Sequence, residues 1–274
     1  MKVFDPDPSL RWLFCVTHPD DEISIAAWIK RLTSSGADVF MSWTHSTPVR
    51  EAEARGVASV LGVRDENLIF HGATDGSVMN EVPNLLPKFR QMVAEICPDR
   101  IACGAFEQGH LDHDATNFLV NHSQSEIRNP MTPSHPGRAA ILEIPFYHSY
   151  TKRLQTINRF ADPSGEEVLE LSPMEQQLKL QVAKSYPSEN VWSVLLWYEI
   201  YRALTMRPVG LRRTERMRVQ THTAFLRPNH QGVMLAKVRR SASWNRWVNA
   251  IGPTVLELTS DREALVEHGR SLVR

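Results

Sequence analysis

Two short stretches of this sequence concentrate residue types that hold metals and move protons. The first is Thr17-His18-Pro19-Asp20-Asp21-Glu22, directly after the apolar run Trp12-Leu13-Phe14-Cys15-Val16. The second is Glu107-Gln108-Gly109-His110-Leu111-Asp112-His113-Asp114, just beyond Arg100-Ile101-Ala102-Cys103. Burying unpaired charge costs several kcal/mol, so clusters at the ends of buried strands are paired, solvated or metal-bound. His18, Asp21 and His113 together offer two imidazoles and a carboxylate. That set leaves positions open on a divalent ion, as a catalytic zinc site requires and a closed structural site does not. One ion per chain is expected, zinc before other divalent metals. Asp20, beside a ligand, is free to act as general base on the metal-bound water, whose pKa the ion lowers to about 7. His110 is placed to donate a proton or to stabilise an oxyanion. Each piece alone has an ordinary alternative: His-x-x-His as two surface or core histidines, and Asp-Asp before a helix as its cap.

Whether the two stretches meet depends on the elements that carry them. Trp12 to Val16 reads as a buried strand. Helical spacing follows over Glu22 to Ser35 and stops at Gly36, and Asp38 to Thr44 is a second apolar strand. Arg50 to Leu61 is a helix ended by Gly62, and Leu68-Ile69-Phe70 a brief third strand. Val82 to Cys97 reads as a helix with Pro83 and Pro87 confined to its beginning. Arg100 to Cys103 is the fourth strand, and His113 to Gln124 a helix. Four strand–helix alternations predict an α/β fold: a Rossmann-like, three-layer α/β/α arrangement with a mainly parallel sheet. In such sheets ligands gather beyond the carboxyl ends of the strands, so both polar stretches fall on one rim. No Gly-x-Gly-x-x-Gly follows the first strand, which removes the main support for dinucleotide binding.

Beyond Pro130 the pattern changes. Asn129 to Gly137 is a proline-rich loop, and Ala139 to Phe146 another strand. Leu154 to Phe160 and Glu167 to Leu171, around Asp162-Pro163-Ser164-Gly165, read as a hairpin. Helices are expected at Pro173 to Tyr186 and Val191 to Met206. From Arg207 on no periodicity stands out. The expected organisation is a catalytic domain over 1–206, with a basic C-terminal extension over 207–274 packed on it.

The 274 residues carry 31 basic and 31 acidic side chains, but unevenly. Between Arg202 and Ala250 Glu215 is the only acid among Arg202, Arg207, Arg212, Arg213, Arg216, Arg218, Arg227, Lys237, Arg239, Arg240 and Arg246. This stretch reads as a solvated basic face or as a surface for an anionic partner. Cys15, Cys97 and Cys103 lack C-x-x-C spacing and read as small buried hydrophobes in a reducing compartment. With no signal-like N-terminus and no apolar run long enough to span a bilayer, a cytoplasmic location is expected.

The first stretch resembles the Ala-His-Pro-Asp-Asp-Glu signature of the PIG-L/LmbE-like de-N-acetylase family. Gly109-His110-Leu111-Asp112-His113-Asp114 resembles its second motif, usually His-Pro-Asp-His. Arg50-x-x-Glu53 with Leu61-Gly62 resembles a helix of the family, and Asp75-Gly76 falls where an Asp-Gly turn is common. The likeness covers Trp12 to Asn121 and continues faintly to about Arg202. It implies zinc ligands His18, Asp21 and His113, the base Asp20 and the assisting His110. It also implies hydrolysis of an N-acetyl group, commonly on a glucosamine-containing substrate, with Arg50 and Asp75 as substrate contacts. Arg50 has an equally simple reading as a surface residue paired with Glu51 or Glu53. His45, after a strand, is a candidate for the site mouth. Glu22 is expected to cap the first helix or to orient a ligand histidine from behind, and Asp112 is expected in a similar supporting place. Three positions depart from the motifs: Thr17 for a small apolar residue, a change of packing; Leu111 for proline, which loosens the loop; and Gln108 where some relatives have tyrosine.

The expected substrate is a small molecule or glycan, and the basic stretch suggests an anionic one such as a nucleotide sugar, a lipid-linked glycan or a phosphorylated saccharide. Amidase action on a non-sugar or thiol-conjugate amide is an alternative within the same chemistry. Two histidines and a carboxylate also describe Fe(II) oxygenase sites, but those leave Asp20 without a role. A glycan- or nucleic-acid-binding module built on Trp244, Trp247, Arg239, Arg240 and Arg246 is a further alternative. No nucleic-acid motif supports it, and nucleic acid is not expected as a partner. The remaining histidines read as ordinary core or surface residues, His148 after a strand being a partial exception.

Overall fold

A computed structural model describes residues 2–124, 139–148, 156–206 and 212–271. The proline-rich loop, His135 and the junction at 207–211 lie outside them. In chain order the elements are β1 (Arg11–Val16), α1 (Ala26–Ser35), β2 (Asp38–His45), α2 (Pro48–Leu61), β3 (Leu68–Ala73), α3 (Val78–Ile96), β4 (Arg100–Gly104), α4 (Leu111–Ser123), β5 (Ala140–Ile144), β6 (Tyr147–His148), β7 (Thr156–Ile157), β8 (Glu166–Glu170), α5 (Pro173–Lys184), α6 (Val191–Leu204), β9 (Thr214–Val219), α7 (Gly232–Arg239) and α8 (Ala242–Ser271). The main sheet runs β3-β2-β1-β4-β5-β9-β8. Its first five strands are parallel, and β9 and β8 close it as antiparallel neighbours. The α/β fold is the one expected.

The strands are apolar on both faces because both are covered. Trp12, Phe14 and Val16 of β1 join one core with Trp28, Ile29 and Leu32 of α1, Val57 and Leu61 of α2, and Val182 of α5. Leu13 and Cys15 point the other way, into a core with Phe89 of α3, Phe118 of α4 and Trp247 of α8. Period-two alternation thus divides one continuous apolar run between two layers. With β1 at the centre and β4 beside it, the loops after both strands open on one rim. The sheet order therefore brings the two polar stretches together.

Several details differ from expectation. Helix α3 begins at Val78, before the expected start at Val82, so Pro83 and Pro87 lie inside it. Its first turn is held from another element: the Asp112 carboxylate of α4 accepts the N–H groups of Gly76 at 2.6 Å and Val78 at 3.1 Å, which supplies the cap that local sequence lacks. The expected hairpin does not form among the described residues. Tyr147–His148 pairs with Thr156–Ile157, and Glu166–Glu170 pairs with Thr214–Val219. Arg216 and Arg218 on β9 explain the choice, since Arg216 meets Glu166 at 2.5 Å and Arg218 meets Glu143 of β5 at 2.7 Å. Opposite charges on neighbouring strands favour that register. The region without periodicity thus contains β9, α7 and α8.

The basic stretch is accordingly not one solvated face. Its single acid, Glu215, is fully buried and accepts the N–H groups of Ala27 and Trp28 at 2.8 and 2.7 Å, with Lys179 at 3.3 Å. Trp244 and Trp247 are core residues, and the Trp247 indole donates to the Phe225 carbonyl. They offer no stacking platform for a base. Cys15 and Cys103 are buried as expected, whereas Cys97, just beyond α3, is exposed. Among the described residues no helix is long and apolar enough to cross a membrane.

Candidate active site

The chain leaves β1 at Val16, and the next residues fold tightly back on themselves. The Asp21 carboxylate accepts the N–H groups of Thr17 at 3.0 Å and His18 at 2.8 Å, so the loop is closed by its own acid. Thr17 Oγ1 meets Thr116 Oγ1 at 2.8 Å, which in turn meets Thr44 Oγ1 at 2.9 Å. Thr17 is therefore a polar tie between β1, β2 and α4, beyond the simple packing change expected of it. On the opposite side, His110 starts α4: its Nδ1 accepts the N–H of Asp112 at 3.3 Å. His113 follows one turn later and faces inward.

These two loops bring His18, Asp21 and His113 together. His18 Nδ1 lies 3.1 Å from His113 Nε2 and 3.7 Å from Asp21 Oδ2, and His113 Nε2 lies 3.3 Å from Asp21 Oδ1. Zinc bonds of about 2.0–2.1 Å in tetrahedral geometry separate their ligand atoms by about 3.3 Å. The triangle has that size, and its donor set of two imidazoles and a carboxylate suits zinc. The site therefore fits a single divalent ion. A ring nitrogen of His110 also lies within 4.8 Å of donor atoms of His18 and His113.

The far side of His18 is supported. Its Nε2 stands 3.2 Å from Asp75 Oδ1 and 3.7 Å from Asp112 Oδ2. Burial would lower the imidazole's pKa, but the nearby carboxylates of Asp112, Asp21 and Asp75 outweigh it and hold the pKa well above the usual histidine range. Asp75 is held low, chiefly by the His18 imidazole beside it. Asp75, expected against substrate, stands just before α3 beside the His18 ring. Asp112 lies on the same side of His18 and caps α3.

Asp20 lies outside the donor triangle. Its carboxylate is pushed well above the usual aspartate range by burial and by the neighbouring Asp21 charge, against Arg50 and His18. Arg50 is not a surface residue. It is 5% exposed, and it meets Asp20 Oδ1 at 3.3 Å and Glu189 at 3.5 Å, not Glu51 or Glu53. One of its NH groups also donates to the Pro19 carbonyl. Glu22, fully buried, receives the N–H of Asp20, the Trp43 indole and the Tyr186 hydroxyl on its carboxylate.

His110 is lowered to about 4, first by burial and then by the charge of His113. With Nδ1 accepting from a backbone N–H, the neutral ring carries its hydrogen on Nε2 and offers it to whatever occupies the opening. His45 ends β2 with its ring 5.6 Å from that of His18, and its Nδ1 donates to the Ala73 carbonyl at 2.7 Å. Gln108 turns away, its amide oxygen accepting the N–H of Asn229.

Tyr147 and Tyr186 were not singled out in the sequence. Tyr147 lies just beyond β5, its ring 5.0 Å from that of His113 and 6.0 Å from that of His110. Its position after a strand, on the rim that carries both motifs, was the available signal. Tyr186 follows α5 by two residues and had none.

Residues 13–123 match the family model described as PIG-L: GlcNAc-PI de-N-acetylase, the family that the two motifs resemble. No curated protein matches the sequence. Among solved structures, the chain is similar to the conserved protein TT1542 from Thermus thermophilus, with 18% identity over 81% of this chain and 100% of that one and a TM-score of 0.56. It is similar to N,N'-diacetylchitobiose deacetylase from Pyrococcus horikoshii, with 18% identity, 80% and 87% coverage and a TM-score of 0.52. A third is the zinc-inhibited form of teicoplanin deacetylase Orf2, with 14% identity, 78% and 99% coverage and a TM-score of 0.52. At these identities the likeness is one of fold.

Proposed function

We propose that this protein is a zinc-dependent hydrolase that removes an N-acetyl group from a GlcNAc-containing or related amino-sugar substrate. The observation that carries the reading is a carboxylate, Asp20, beside a donor triangle of metal-site size but outside it. The family match over residues 13–123 and the deacetylase names of two similar structures support acetyl as the acyl group.

His18, Asp21 and His113 would hold the ion, with the carboxylates of Asp75 and Asp112 beside the outer nitrogen of His18. Zinc so held would polarise the amide carbonyl and acidify a water molecule. Asp20 takes the proton of the attacking water, a task matched to a carboxyl whose pKa its surroundings raise. The Nε2–H of neutral His110 hydrogen-bonds the carbonyl oxygen as negative charge grows there. Asp20 then returns its proton to the departing nitrogen, leaving a free amine and acetate. All these residues fall within 1–206, to which the segment after 206 adds β9 and the helices that follow it. The substrate is a small molecule or glycan; an anionic group on it would have Arg212 and Arg213 available, since Arg216 and Arg218 are already paired.

The test is acetate release across N-acetylglucosamine derivatives, with chelation and zinc add-back. Chelator-sensitive release restored by zinc is expected. Iron content with 2-oxoglutarate turnover, or acetate release indifferent to chelation, would overturn the reading.

A further inference from the structure

Asp20 has φ +130° and ψ −23°, a region that residues with side chains rarely enter. Such a conformation costs of order 1–3 kcal/mol and persists only where the surroundings enforce it. The enforcing contacts converge on one peptide group. Its carbonyl, that of Pro19, accepts from Arg50, and its N–H, that of Asp20, donates to Glu22 Oε2 at 3.0 Å. A peptide unit is planar, so holding its oxygen and its hydrogen fixes the plane from which the Asp20 side chain departs. Arg50 then meets the Asp20 carboxylate itself at 3.3 Å.

Glu22 is held in turn from outside the motif. Its other oxygen accepts the Tyr186 hydroxyl, and Trp43 Nε1 donates to Oε2 at 3.5 Å. Glu22 is fully buried, and Tyr186 is 1% exposed in the same apolar cluster as Ile23 and Trp43. Three donors surround one carboxylate, which cannot turn without leaving one of them unpaired in the core.

We infer that Tyr186, acting through Glu22, and Arg50 are positioning residues that clamp the Pro19–Asp20 peptide and so aim the Asp20 carboxylate at the reacting water. The inference rests on the hydrolase reading above for its catalytic consequence, but the clamp itself does not. Removing the Tyr186 hydroxyl frees one Glu22 oxygen, loosens its hold on the Asp20 N–H and lets the carboxylate drift. A misplacement of about 1 Å at a reacting group can cost about 100-fold in rate.

The experiment compares the full-length protein with Tyr186→Phe, and with Arg50→Lys and Glu22→Gln as independent variants should Tyr186→Phe fold poorly. Zinc content, kcat per zinc-loaded chain, KM and amide hydrogen exchange at Asp20 are measured together. Tyr186→Phe is expected to keep its zinc, to keep KM within about twofold and to lose about 10- to 100-fold in kcat, with faster exchange at the Asp20 amide. Added to Asp20→Ala, it should change the residual rate by less than about twofold, because it acts through the carboxylate already removed. A purely structural role predicts instead a lower zinc-loaded fraction with unchanged kcat per loaded chain. That result, unchanged exchange at Asp20, or a full further loss in the double variant would overturn the proposal. Should the wild-type protein release no acetate, the hydrolase reading fails, and Asp20 exchange in Tyr186→Phe still decides whether the clamp exists.

Discussion

His18 Nδ1 and His113 Nε2 face each other at 3.1 Å across 95 residues of sequence, and the Asp21 carboxylate closes the triangle. Two ring nitrogens that close must either share a hydrogen or share a cation. The surrounding carboxylates Asp21, Asp75 and Asp112 supply the negative charge that a cation requires.

Removing one corner should therefore remove the ion. His113→Ala is expected to retain less than about one-tenth of the wild-type zinc after dialysis and to lose activity with it. Metal analysis of the dialysed protein checks this; full zinc content in the variant would place the ion elsewhere.

Asp20→Asn separates binding from chemistry. The amide cannot take a proton, yet it preserves shape and lies outside the ligand set. Zinc content should stay at the wild-type level while kcat falls by about 100- to 10,000-fold. A near-normal rate would show that the base is another group.

Asp75→Asn tests the place that the structure gives this residue. Asp75 puts a charge 3.2 Å from the outer nitrogen of His18, and losing such an outer partner of a metal-binding histidine typically costs 10- to 100-fold in metal affinity, so about a tenfold loss is expected in chelator competition. At saturating zinc the KM should be little changed. A raised KM with unaltered zinc affinity would return Asp75 to the role of substrate contact.

A fourth expectation concerns stability against pH. Glu107 is buried beside Arg218 and Glu143, and burial pushes its pKa up to about 8 despite the arginine. The unfolded chain releases this proton near the ordinary glutamate value, so the folded state binds more protons in between. Stability should fall as pH rises from about 4.5 towards 8, by at most ~1.4 kcal/mol per pH unit. Glu107→Gln holds no such proton. Denaturant titrations at pH 5 and pH 8 should show a smaller decline for the variant than for the wild type; equal declines would assign the dependence to other groups.

The parallel half of the fold was legible because each strand of β1 to β4 is a short apolar run followed by a helix with helical spacing and a clear stop. Position on the rim then followed from topology, which is why His18, Asp21 and His113 were found together. What stayed hidden depends on partners distant in sequence. Arg216 and Arg218 look like surface charges until Glu166, Glu143 and Glu107 are brought beside them. The start of α3 is set by Asp112 and not by its own residues. Arg50 is written into an ordinary amphipathic helix, and only its burial against Pro19 and Asp20 distinguishes it from a solvated arginine. Tyr186 carries no spacing signal at all, since a single tyrosine after a helix has no pattern to match.

Glu215 places a condition on the order in which the molecule can be completed. Its carboxylate seats the first turn of α1, and its contact to Ala27 spans 188 residues, while Tyr186 reaches Glu22 across 164. A nascent chain that has emerged only as far as α4 already holds His18, Asp21 and His113. It lacks both the anchor under α1 and the hydroxyl beneath Asp20. Helix α1, which follows the first polar stretch, thus stays without this anchor until the strand bearing Glu215 has left the ribosome. Closing contacts of such long range is slow, so this last step is where folding of the protein is expected to wait.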